Sequence, residues 1–184
     1  MNSGPIAHRY AKALLKYIQE TGAGEKVYSQ ACVLALRIQE IPALAEALQN
    51  HQGLSFERKI KLMEAAVGTT LENEILRFVA LVYAQKRMNY LLRMFYSFIE
   101  QYRQANSIKV GRLVTACPVL DLKERLQTVL SERYGATVLL EEELNPDIIG
   151  GFVFELDGYR MDASVEGQLA KIRRQLVQNN NRIV

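Results

Sequence analysis

Few residues in this chain have the chemistry of a reactive site, and none is spaced to form one. The two histidines are His8, inside a helical pattern, and His51, in a turn ahead of Gly53. Neither has a cysteine or carboxylate at ligand spacing, so no metal site is expected. Cys32 and Cys117 form no CxxC pair, and both read as reduced, buried, small hydrophobes. Acid chemistry would have to come from Glu141–Glu143 or Asp162. The glutamate run reads as a solvated strand end. Asp162 stands beside the start of a helix, where a carboxylate complements the dipole, so its expected role is structural. A phosphate cradle needs glycines ahead of a helix. Gly150 and Gly151 precede a β-type run instead, and are expected to give backbone freedom where a strand begins. No GxSxG, Cys/His or Walker-type pattern is present. The expectation is a chain with no catalytic residue, no cofactor and no metal.

Binding is what remains. "AKIRRQL", Ala170–Leu176, is basic, and aromatic-bearing strands such as "FVFEL", Phe152–Leu156, stack bases in some folds. Against RNA, Phe152 and Phe154 share a face with Leu156 and Met161, which reads as core. A net charge of +3 adds little to that case. An RNA-binding factor using the basic helix, and a small enzyme using an inter-domain cleft, stand as the alternatives to a protein-binding role. No apolar run approaches the roughly 18–20 residues of a membrane span, and the opening "MNSGPIAHRYAKALL" lacks a secretory pattern. At 49% hydrophobic and 23% charged, the composition is that of an ordinary globular protein.

The elements that would carry binding fall into two halves. Up to "QANSIK", Gln104–Lys109, the periodicity is helical; beyond it, β-type runs alternate with helices. This gives an all-α six-helix bundle over residues 1–105 and a small α/β domain over 106–184. The helices are expected at Pro5–Glu20, Glu25–Gln39, Pro42–Gln49, Ser55–Val67, Thr70–Gln85 and Met88–Gln104, with Gly, Pro and "NHQG" punctuation between them. Short connections imply antiparallel packing.

Two of these helices are unusual. In the first, His8, Arg9, Lys12, Lys16, Gln19 and Glu20 fill an arc of roughly 120°. That leaves two apolar flanks, Ile6–Tyr10–Ala13–Tyr17 and Ala7–Ala11–Leu14–Ile18. An ordinary surface helix buries one stripe, so two flanks suggest two neighbours. The fifth, "TLENEILRFVALVYAQ", is apolar almost all round, with Leu71, Ile75, Leu76, Phe78, Val79, Leu81, Val82 and Tyr83, as a central helix would be. Either both helices pack inside the bundle, or they wall a groove for a partner helix.

In the second half, "SIKVGRLVTACPV" and "ATVLLEEEL" read as strands around the helix "DLKERLQTVLSERYG". Asp121 and Glu124 make a capping-box variant, and Leu122, Leu126, Val129 and Leu130 the inner stripe. Gly135 stops that helix. Asp157-Gly158 between apolar runs predicts a two-residue hairpin pairing Leu156 with Tyr159, Phe154 with Met161 and Glu155 with Arg160. Phe152, Phe154, Leu156, Tyr159 and Met161 then share a face. A last helix starts at Ser164 as N-cap, with Val165, Leu169, Ile172 and Leu176 as its apolar line and Lys171, Arg173, Arg174 and Gln175 outside. The expected unit is β-α-β-β-α with one sheet face covered by helices.

Ile149-Gly150-Gly151-Phe152, Asp162-x-Ser164 and Gln168-Leu169, with "RYAKALL" at Arg9–Leu15, resemble the delta subunit of F-type ATP synthase, whose mitochondrial counterpart is the oligomycin-sensitivity-conferring protein. The resemblance spans essentially the whole chain. It implies a non-catalytic stator subunit, one per complex, on the cytoplasmic face of a bacterial inner membrane. The bundle would bind the N-terminal helix of an alpha subunit between its first and fifth helices, at Ile6, Tyr10, Ala13, Tyr17, Leu76, Val79 and Tyr83. The α/β domain would meet b-type peripheral-stalk subunits through Lys171, Arg173 and Arg174, with Gly150, Gly151, Asp157, Gly158, Asp162 and Ser164 structural. No nucleic acid and no membrane insertion are implied.

Overall fold

The structure, a computed structural model, describes residues 4–50, 53–118 and 121–180, with backbone alone for 175–180. The chain separates into two compact units, Met1–Ala105 and Asn106–Val184.

The first unit is helical: α1 (Gly4–Thr21), α2 (Gly24–Glu40), α3 (Pro42–Gln49), α4 (Phe56–Val67), α5 (Asn73–Ala84), a 3-10 turn at Met88–Tyr90, and α6 (Leu91–Ala105). Pro42 opens α3 at the first turn, where its missing N–H has no intrahelical partner to lose. Gly68 closes α4 in the left-handed conformation, its N–H bonded to the Glu64 carbonyl. The fifth helix starts later than its apolar run suggests. Gln30 of α2 donates to the Thr70 carbonyl and accepts from the Glu72 N–H, both at 2.9 Å, and Glu72 is extended.

Both α1 and α2 pack along α6, which buries Leu91, Met94, Phe95, Phe98 and Ile99. Ala7 and Ala11 on α1 and Ala31 on α2 are fully or almost fully buried among them. The central helix is therefore α6, not α5 as the all-round apolar pattern suggests. Helix α5 meets α1, α2 and α4, buries Ile75, Phe78, Val79 and Val82, and leaves Leu81 49% exposed. Its outer apolar residues are surface.

One buried cation fixes the α3–α4 corner. Lys59 of α4 is fully buried and donates to the carbonyls of Leu48 and Asn50, at 2.6 and 2.7 Å. Those oxygens belong to the end of α3, where carbonyls lack intrahelical donors. Burial pulls the Lys59 ammonium below the usual lysine range.

The second unit runs β1 (Ile108–Thr115), α7 (Leu122–Tyr134), β2 (Thr137–Leu144), a 3-10 turn at Pro146–Ile148, β3 (Phe152–Leu156), β4 (Tyr159–Asp162) and α8 (Val165–Asn180). The sheet order is β2-β1-β3-β4, with β1 and β2 parallel and the other pairs antiparallel. This is one strand more than β-α-β-β-α, because the hairpin contributes two. One face is the core: Leu113, Val138, Leu140, Phe154 and Leu156 against Leu130 and Leu126 of α7. On the other face, register aligns Glu141, Arg112, Glu155 and Arg160 across all four strands, a row of alternating sign. Arg160 pairs with Glu155 at 3.2 Å, and Arg112 reaches Glu143 at 2.5 Å.

Several side chains depart from the expected pattern. Asp121 has a left-handed backbone, φ 65°, and makes no side-chain cap bond, so no capping box forms at α7. Val129 is exposed, one position off the line from Leu126 to Leu130 that meets the sheet. Tyr159 and Met161 occupy the core side of the sheet yet stay 57% and 42% exposed. They lie on the edge strand β4, whereas α7 packs over β2 at the opposite edge. Cys117 is exposed rather than buried, and Cys32 is only half-buried, packed against the bundle core; neither is in a disulfide.

Candidate partner-binding surfaces

The two flanks of α1 have different fates. Ala7, Ala11, Leu14 and Ile18 are buried, whereas Ala13 is exposed and Ile6, Tyr10 and Tyr17 are half-buried. Between α1 and α5 runs an open trough of about 270 Å³, lined by Ala13, Leu14, Tyr17, Arg77, Phe78 and Leu81. Its ends are pinned. Arg77 of α5 donates to the Tyr17 hydroxyl at 2.6 Å, and Arg87, just past α5, donates to the Tyr10 hydroxyl at 3.1 Å. The Tyr10 ring also meets Phe78 edge-on, with centroids 6.4 Å apart. Tyr10 and Tyr17 are seven positions apart, so the open stretch between them is about two helical turns, roughly 10 Å. The small side chain of Ala13 lies midway, where another backbone can come close.

The residues anticipated on α5 do not all reach this trough. Val79 is fully buried in the bundle and cannot contact a partner. Leu76 lines a separate depression between α4 and α5, with Phe56, Ile60 and Ala80. Tyr83 packs against Phe56, ring centroids 5.1 Å apart, on that same side. At 100° per residue, Leu76 and Tyr83 lie on one line of α5, while Arg77, Phe78 and Leu81 lie on the line that turns to α1. Sequence reading missed Arg77, Phe78 and Leu81 as lining residues. The exposed Leu81, seven positions before Met88, was visible only as one more apolar residue in the run.

In the second unit, Gly150, Gly151, Asp162 and Ser164 gather at the start of α8, while Asp157 and Gly158 lie at the opposite end of the hairpin. Asp157 and Gly158 both have positive φ, 49° and 78°, at the tip of the β3–β4 hairpin. Gly151 is left-handed at φ 76°, and a β-carbon there would drive into the Ala163 carbonyl and lie 3.1 Å from Ser164 Cα. The backbone around it is latched: Val165 N–H donates to the Gly150 carbonyl at 3.0 Å and Ala163 N–H to the Phe152 carbonyl at 2.9 Å. Ser164 is buried; its hydroxyl accepts from the Gly167 N–H at 3.0 Å, as an N-cap does. Asp162 Oδ1 accepts from both the hydroxyl and the N–H of Ser164, at 2.5 and 3.0 Å. These two bonds, the hydroxyl first, hold the Asp162 carboxyl below the usual carboxylate range.

That shift has a sign. The folded state takes up the Asp162 proton less readily than the unfolded chain, so the contribution is complete above the ordinary carboxylate pKa. It fades as pH falls through the lowered folded value. Asp162→Asn should therefore melt below the parent chain near neutral pH, and the gap between the two should close below about pH 4. A gap that does not change with pH would remove the carboxylate from the cap.

Past this cap, α8 exposes Leu169 and Ile172 (55% and 52%) together with Lys171, Arg173 and Arg174. The side chains of Gln175 and Leu176, and all of His51, lie outside the described residues. Glu143 is held by Arg112 and Asp162 by Ser164, and no group of three metal-ligating side chains occurs among the described residues.

A profile of the ATP synthase delta (OSCP) subunit matches residues 6–176. The chain belongs to that family. An ATP synthase subunit delta of Phocaeicola vulgatus is 40% identical over 186 residues, covering all of both chains. That of Bacteroides fragilis is 37% identical over 187 residues, again end to end. One from Lactobacillus delbrueckii subsp. bulgaricus is 32% identical across 92% of this chain and 94% of its own. The fold is shared with a chain in the cryo-EM structure of the Toxoplasma gondii mitochondrial ATP synthase hexamer, at a TM-score of 0.59 and 18% identity, over 93% of this chain and 97% of that one. As a delta (OSCP) subunit, the chain is a non-catalytic stator component of the F-type ATP synthase, in the peripheral stalk that serves proton-driven ATP synthesis. No described helix is long and apolar enough to cross a membrane.

Proposed function

We propose that the two units grip two different partners, so that torque from the rotor cannot turn the catalytic head. The helical unit takes the N-terminal helix of one alpha subunit in the α1–α5 trough. The α/β unit meets the end of b-type stalk subunits through α8, and one copy serves each complex at the cytoplasmic face of a bacterial inner membrane. The observation that carries this reading is the α1 flank itself. Exposed Ala13, flanked by half-buried Tyr10 and Tyr17, forms a stripe that the bundle only partly covers, next to the exposed Leu81. A joint of this kind needs slow release rather than reactive groups, and apolar burial with few polar constraints supplies it.

On α8, basic Lys171, Arg173 and Arg174 flank Leu169 and Ile172, a face that suits an acidic amphipathic helix. Affinity capture of the tagged chain from detergent-solubilised membranes tests both halves. The parent should retain alpha, beta and b-type chains and no nucleic acid. The Arg173→Glu, Arg174→Glu double variant should lose the b-type chains and keep alpha. Both positions are exposed, so folding should be unchanged. Retention of b-type chains by that variant would place the stalk contact elsewhere.

A further inference from the structure

The α1–α5 trough is apolar on its floor and cationic at its rim. Arg77 lines it, Arg87 lies beside Tyr10 about one helical turn from Ala13, and each donates its guanidinium to a tyrosine hydroxyl. On the α1 side, Arg9 and Lys16 are exposed and lie one turn on either side of Ala13. The carboxylates on the two wall helices nearest to these cations are Glu20 and Glu74, and neither forms an ion pair with any of them among the described residues. The helical unit's single ion pair among those residues is Arg37–Glu40, on α2. The depression between α4 and α5 carries both signs, Glu57 and Glu64 with Lys61 and Arg77, whereas Arg77 is the one charged residue lining the α1–α5 trough. A tyrosine hydroxyl leaves a guanidinium's charge uncompensated, and a carboxylate is its stronger, bidentate partner.

We infer that the trough selects its helix by charge: an amphipathic helix whose apolar stripe is flanked by carboxylates, which take Arg77 and Arg87 over from Tyr17 and Tyr10. This rests on the trough being the site for the alpha N-terminal helix. The two arginines fix register, because they bracket about two turns of bound helix, and they speed encounter through the cationic rim. A helix of equal hydrophobicity with basic flanks would set like charges together at the rim and be rejected.

The test is calorimetric titration of the full chain with a synthetic peptide of the alpha N-terminal helix, at low and high salt. Arg77→Gln and Arg87→Gln should each weaken binding roughly tenfold or more at low salt, with the deficit shrinking as salt rises. A second peptide, its Asp and Glu changed to Asn and Gln, should lose similar affinity for the parent and little further for the arginine variants. That peptide arm stands even if Arg87→Gln lowers the melting temperature by releasing Tyr10. Ala13→Leu, which fills the trough without changing charge, separates the two readings. If it binds weakly while both arginine variants and the amide peptide bind like their parents, the charge inference is overturned and the site stands. If Ala13→Leu binds like the parent, the site reading falls and this inference with it.

Discussion

Replacing Ala13 by aspartate is expected to reduce affinity for the alpha N-terminal helix about 100-fold or more, while leaving the free subunit as stable as before. The first half follows from what a bound helix would do at this position. Ala13 faces the trough of Leu14, Tyr17, Phe78 and Leu81, and a partner covering it would remove an introduced carboxylate from water. Burying a charge without full compensation costs several kcal/mol, and about 1.4 kcal/mol corresponds to each factor of ten. Arg77 lines the same trough, and pairing with such a carboxylate in the free chain would add to the loss by occupying that cation beforehand. The second half follows from exposure: in the free subunit, position 13 is solvated. Ala11→Asp is the control. Ala11 has no exposure at all, so the same change two residues earlier should lower the melting temperature sharply through the bundle core. Titrations and melts of the two variants side by side decide the matter. An Ala13→Asp chain that unfolds, or that binds as tightly as the parent, would mean the outward flank is not the one in contact.

The largest effect in the second unit should come from Gly151→Ala. Gly151 and Gly158 have nearly the same positive φ, 76° and 78°, which strains an alanine at either position. That strain is about 1–2 kcal/mol. Their surroundings differ. At Gly158 an added β-carbon meets nothing within 4 Å, whereas at Gly151 it collides with the Ala163 carbonyl and closes on Ser164 Cα. Both obstacles are backbone, and both belong to the latch that joins β3 to the start of α8. Gly158→Ala should therefore cost only the strain. Gly151→Ala should cost roughly 3 kcal/mol or more, with the start of α8 loosened. Chemical denaturation that gives equal midpoints for the two variants would show that the loop relaxes without penalty.

The sequence was most readable where local rules dominate. Asp157-Gly158 between apolar runs specified the hairpin, its three pairings and the face shared by Phe154 and Leu156, because turn type fixes register over so short a span. Helical period alone divided α1 into its two apolar flanks, and packing buries the one carrying Ala7, Ala11, Leu14 and Ile18. Reading failed where tertiary packing chooses among equivalent local answers. The fifth helix is apolar on nearly every side, so its period could not tell the line carrying Phe78 and Leu81 from the line carrying Leu76 and Tyr83. Only the placement of α1 and α4 decides that. Val129 failed for a related reason: only the line of α7 from Leu126 to Leu130 turns to the sheet. Lys59 gave no sign at all, since its role depends on the end of α3 arriving beside it. Gln30 did the same to the start of α5, by bonding residues 40 and 42 positions away.

Glu141, Glu142 and Glu143 were first met as a solvated run with no chemistry to offer. Their position gives them another consequence. They occupy β2, an outer strand whose free backbone groups are a template for any passing chain. A second molecule pairing there antiparallel, about Glu142, would bring three carboxylates against three. A subunit made apart from its complex, and carrying an uncovered apolar trough besides, is most exposed to self-association before it is built in. Like charges facing one another across such a pairing oppose fibre-like growth at this edge.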